Sequence, residues 1–147
     1  VTDGASAVIL ATREVAEKFH KRNAYITSID HRIEAHQLGS RDLLDSMSTR
    51  IAGEAAGVTK GKVDIAELHT PFSYQELLVK QALGLGDDTV INASGGPLAG
   101  NIMMSAGLSN FGEVAMRIIK GEAHRGVAHA TSGPCLQQNL VAVLEGK

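Results

Sequence analysis

VDIAELHTPFSYQELLVKQALGLGDDTVINASGGP, residues 63–97, is the stretch from which the architecture can be read. Val63 to Leu68 is a short run rich in β-formers and predicts a strand. From Phe72 to Leu83 the apolar residues Leu77, Leu78 and Ala82 recur at helical spacing, which predicts a helix with those side chains inward. Gly84 and Gly86 end it. Thr89 to Asn92 predicts a second short strand, which runs into Ala93-Ser94-Gly95-Gly96-Pro97. That glycine-rich loop allows backbone and ligand to approach closely, and it is the best candidate for function.

The same alternation extends to both sides. Gly4 to Ala11 is an apolar, small-residue run that reads as a buried strand, followed by a helix from Thr12 to about His20. Ala24 to Asp30 alternates as a strand should, with Arg32 to His36 as its continuation or exit. Leu43 to Ala56 places Leu44, Met47, Ile51 and Ala55 on one helical face, closed by Gly57. Downstream, Ser105 to Ile119 is a helix, and Gly126 to Ala130 and Leu140 to Leu144 are strands around the turn Thr131 to Pro134. Strands alternating with helices predict an α/β fold, a mixed five-stranded sheet covered by helices, with residues 1–147 forming one domain.

Composition narrows the function classes. The 147 residues contain 44% hydrophobic side chains, enough for one sizeable core, and no period that would mark a solenoid. A formal charge of −2 without a basic stripe, and only 3% aromatics, argue against a nucleic-acid partner. No apolar run reaches the ~18 residues of a membrane span, so a soluble, cytoplasmic protein is expected. One cysteine, Cys135, excludes an internal disulfide and a multi-cysteine zinc site, and no metal site is expected. His20, His31, His36 and His124 show no ligand spacing and read as surface or structural. A chain opening inside an apparent strand reads as a fragment whose missing partner would cover that surface.

Four segments in order resemble the C-terminal domain of thiolases and together cover nearly the whole chain. Thr2-Asp3-Gly4-Ala5-Ser6-Ala7-Val8-Ile9-Leu10 is similar to that domain's first strand. Glu67-Leu68-His69-Thr70-Pro71-Phe72-Ser73 resembles the His-x-x-Phe variant of the sterol-carrier and lipid-transfer thiolases, Asn92-Ala93-Ser94-Gly95-Gly96 the N-x-S-G-G loop, and Gly126-Val127-Ala128 leading to Gly133 the C-x-G region. The resemblance implies the second half of a five-layered αβαβα protein, at least dimeric, that acts on coenzyme A thioesters and needs no other cofactor. It implies further that the nucleophilic cysteine belongs to a missing N-terminal half. A small OB-fold acyl-CoA-binding partner is a further expectation.

Carried over residue by residue, His69 and Asn101 are catalytic candidates, with Phe72, Ser94, Gly95 and Gly96 lining the substrate; His129, outside the matched motifs but just before the turn, is a third catalytic candidate. His69 reads either as a donor toward the thioester oxygen or as a cap on the helix at Phe72. Asn101 stands where the family has a histidine base; an amide donates but cannot take a proton near neutrality, and the other reading is a left-handed turn after Gly100. Pro71 and Thr131 occupy positions where cysteines move protons in the family. Cys135 either turns back into the site or is a small buried hydrophobe, and His129 could stand in for the missing base. With these departures, ordinary Claisen condensation is in doubt. The readings are an acyltransferase or an aldolase-type lyase in the complete protein, or a non-catalytic acyl-CoA or lipid carrier or structural subunit. The chain alone is expected to be inactive.

Overall fold

A computed structural model describes residues 1–147. Its centre is a mixed five-stranded sheet in the order β1-β5-β4-β2-β3, built from β1 (Ala24–Ile33), β2 (Ile65–Glu67), β3 (Val90–Ile91), β4 (Arg125–Ser132) and β5 (Gln138–Gly146). β2 runs parallel to both β3 and β4, with Ile65 opposite Val90 and Gly126. β5 is antiparallel to β4 and β1, and a bulge lies between Ile26 and Ser28. The helices are α1 (Arg13–Phe19), α2 (Met47–Ala56), α3 (Ser73–Ala82), the single turn α4 (Gly96–Ala99) and α5 (Ala106–Ile119). The expected α/β class with helices over a mixed sheet is what the structure has.

Alternation along the central strands sends side chains to two separate cores. On one face Ala66, Leu68, Val127, Val141 and Val143 meet Ala52 and Ala56 of α2 and Val79 of α3. On the other, Ile65, Ala128, Ala142 and Leu144 meet Val114 and Ile118 of α5. Glycine permits the second contact, since a Cβ at Gly126 would lie 2.5 Å from Val114 Cγ1. Arg125 joins layers from the start of β4. Its guanidinium donates to the carbonyls of Gly57, Val58 and Gly61, at the C-terminal end of α2 and just beyond, while Nε reaches Glu145 Oε1 on β5 at 3.0 Å.

Several expectations are corrected. Residues 4–11 form no strand: Ile9 is 96% and Leu10 72% exposed. The segment lies against α5 and the 100–102 loop instead, with Ser6 Oγ bonded to Ser109 Oγ and Thr2 N–H donating to the Asn101 carbonyl at 2.9 Å. The backbone of residues 4–11 makes no hydrogen bond to other backbone groups. α2 begins at Met47 and buries the opposite face from the one expected, namely Ser48, Thr49, Ala52, Gly53 and Ala56, while Leu44, Met47 and Ile51 are exposed. Small residues win because the helix sits close to its neighbour; a Cβ on Gly53 would stand 2.6 Å from Leu83 Cδ2. Leu77, expected inward, is exposed on α3, where Gln75 and Val79 are buried. β1 stops at Ile33 and β4 continues to Ser132, which shortens the turn expected after Ala130. No helix is long and apolar enough to cross a membrane.

Candidate functional site

The parallel strands β2, β3 and β4 end side by side, and their carboxyl ends are where α/β sheets collect ligand contacts. β2 delivers Glu67, Leu68 and His69; β3 delivers Asn92; β4 delivers His129 and Thr131. Asn92 adopts a left-handed φ of 49°, which lets its side chain serve both neighbours. Its Oδ1 accepts from Leu68 N–H at 2.7 Å, and its Nδ2 donates to Glu76 Oε2 at 2.7 Å. The exit of β2, the turn after β3 and α3 are thereby tied through one amide.

The glycine-rich loop is anchored by an acid that the sequence reading passed over. Glu67, fully buried on the α5 side, accepts from Ser94 N–H at 3.0 Å and from Ser94 Oγ at 2.5 Å. Burial pushes its carboxyl above the usual carboxylate range, and the two bonds from Ser94 pull against that rise. Gly95 and Gly96 both take positive φ, 94° and 59°, and a Cβ on Gly96 would press within 2.8 Å of Asn92 Cγ. Asn110, also overlooked, reaches from α5 to the carbonyls of Glu67 and His129. A buried polar residue with a distant partner leaves no mark in local sequence spacing; the signal that existed was an acid inside an apolar strand.

His69 and Asn101, 32 residues apart, are brought together: His69 Nε2 lies 3.3 Å from Asn101 Oδ1. The other ring nitrogen, Nδ1, accepts from Thr131 N–H at 3.4 Å. In a neutral imidazole one nitrogen accepts and the other donates, so the proton is on Nε2 and points to Asn101. Burial holds this ring below the usual histidine range, which favours that neutral form. His69 is only 5% exposed, deeper than expected of a residue open to a cleft. Its side chain does not cap α3, whose first turn is closed instead by Phe72 N–H donating to Gln75 Oε1 at 3.2 Å. Asn101 has no left-handed φ, and no protein group accepts from its Nδ2. The arrangement therefore offers one oriented amide donor, backed by a histidine, rather than two donors aimed at one oxygen.

The remaining candidates do not share in the His69–Asn101 contact. His129 is completely buried in β4, bonded through Nε2 to Asn139 Oδ1 at 2.9 Å. Phe72 is exposed and stacks on Tyr74 with ring centroids 6.2 Å apart. Cys135 is not the small buried hydrophobe of the second reading: it is exposed, at a φ of 51°. His20, His31, His36 and His124 are all exposed. No group of three or more His, Cys, Asp or Glu side chains is arranged to hold a metal ion.

No family model matches the chain. Among curated proteins it is similar to "Sterol carrier protein 2" of Homo sapiens and of Oryctolagus cuniculus. Each is 29% identical over an alignment 150 positions long, which covers 83% of this chain. The aligned part is 27% of each relative's length, so the chain spans about a quarter of the proteins it resembles.

Proposed function

We propose that the chain is the second half of a thiolase-like protein of the lipid-transfer type, and that it binds a coenzyme A thioester with the carbonyl oxygen on Asn101 Nδ2. The observation that carries this reading is the 3.3 Å contact of His69 Nε2 with Asn101 Oδ1 at the carboxyl ends of the parallel strands. Breaking or making a carbon–carbon bond beside a thioester places negative charge on that oxygen. A preorganised N–H donor aimed at it lowers the barrier, because the dipole is already in place when the charge develops. His69 keeps the amide in register and, by donating to its Oδ1, polarises the N–H on the far side. The acyl-accepting cysteine would come from the N-terminal half, and self-association and an OB-fold acyl-CoA-binding partner belong to the same proposal.

The test uses the natural-length protein with acetoacetyl-coenzyme A and β-hydroxyacyl-coenzyme A substrates. Asn101→Ala should lower kcat/KM by about 100-fold, the usual cost of one lost oxyanion donor, with thioester affinity nearly unchanged. Equal turnover by wild type and Asn101→Ala would overturn the assignment. A second reading, a carrier that binds thioester or lipid without turnover, is favoured by Pro71 and Thr131, neither of which moves a proton where the family has cysteines. The similarity to proteins named as sterol carriers supports it as well. Saturable binding with no turnover of either substrate would select it.

A further inference from the structure

His129 is the one buried histidine that the thioester reading leaves without a task, and its tautomer can be derived link by link. Glu34, on the wall of a surface depression of about 370 Å³, accepts from Ser48 N–H at 2.9 Å and from Ser48 Oγ at 2.6 Å. With its proton committed to Glu34, Ser48 Oγ accepts from Asn139 Nδ2 at 2.7 Å. The same Nδ2 donates to the Leu136 carbonyl at 2.8 Å, which independently fixes which way the amide faces. Asn139 Oδ1 is thus turned to His129, and His129 Nε2 must carry the hydrogen in that 2.9 Å bond.

What remains is His129 Nδ1, a lone pair with no partner among the groups of the protein, on a side chain with no exposure at all. Buried polar atoms are almost always satisfied, and an exception signals a place where something else binds. His129 stands two residues before Thr131 in β4, whose N–H donates to His69 Nδ1 at 3.4 Å, so the ring lies beside the candidate site.

We propose that His129 Nδ1 is the acceptor of a built site for a single O–H donor, either an ordered internal water or the enol hydroxyl of a bound acyl thioester. Glu34, Ser48 and Asn139 are positioning residues for it, because they hold the ring in the tautomer that presents a lone pair. A carbonyl oxygen, which has no hydrogen to donate, would not be accepted there.

The experiment is nitrogen NMR of natural-length protein labelled with 15N-histidine, the His129 ring assigned through its backbone. Expected is the Nε2–H tautomer, with Nδ1 at the shift of a hydrogen-bonded acceptor. If that shift is present in ligand-free protein, the donor is water; if it develops only on adding acetoacetyl-coenzyme A, the donor is the ligand. The first outcome holds whether or not the thioester reading stands; only the second rests on it. An Nδ1–H tautomer, or a bare Nδ1 both before and after the addition, overturns the proposal.

Discussion

Ser94 Oγ donates to Glu67 Oε2 at 2.5 Å, fastening the glycine-rich loop to the end of β2 across 27 residues of chain. Removing the hydroxyl leaves a buried carboxylate oxygen without that donor. Ser94→Ala should therefore cost about 1–3 kcal/mol, the usual penalty for an abandoned buried acceptor. Glu67→Gln should cost less, because burial already disfavours the charge it removes. Urea midpoints of the two variants, compared with wild type, check the order.

Asn101→Asp would put a carboxylate where Oδ1 now accepts from His69. An opposite charge so close favours the imidazolium, reversing the downward push of burial. The His69 titration should move up by about one to three pH units. Proton NMR of the ring reads this directly, and an unchanged titration would show that the two side chains do not meet in solution.

Acid should destabilise the fold through His129. Burial holds its pKa down, from 6.5 to about 4, so the unfolded chain takes up the proton first. Stability is then complete above about pH 6.5 and falls as the pH drops toward 4. The difference is worth roughly 3 kcal/mol once both values are passed. Urea midpoints measured across that window should decline more steeply in wild type than in His129→Gln, which cannot titrate.

Two glycines of α5 should respond to alanine with opposite signs. At Gly107 a Cβ would meet Ala130 Cβ at 2.5 Å, forcing helix and strand apart. An overpacking cost of about 1–3 kcal/mol is expected. At Gly112 the nearest atom is Val8 Cγ1 at 3.7 Å, an ordinary contact. There the helix should gain about 0.5–1 kcal/mol from the lost flexibility of glycine. Thermal melts of both variants decide the point.

The alternation of strand and helix was legible because Ile65, Val127 and Val143 record their burial in local spacing. Residues 4–11 misled because an apolar run states a need for cover without naming the cover, and here the segment lies against α5 instead of forming a strand. α2 misled for a related reason: periodicity locates an apolar stripe, whereas close approach selected Ser48, Ala52 and Gly53 for the inside. Within the site, His69, Ser94 and Asn101 stood out through motif positions. Glu34, Ser48, Glu67, Asn110 and Asn139 did not, since each is bonded to a partner 14 or more residues away.

The clasp of Arg125 on the carbonyls of Gly57, Val58 and Gly61 bears on how the molecule opens. A helix of ten residues usually frays from its ends independently of the rest. Here the last turn of α2 is fixed to a side chain rooted in β4 and paired with β5, so the end cannot loosen while the sheet holds. Amide protons in the last turn of α2 should exchange with solvent together with those of β4, as one cooperative unit.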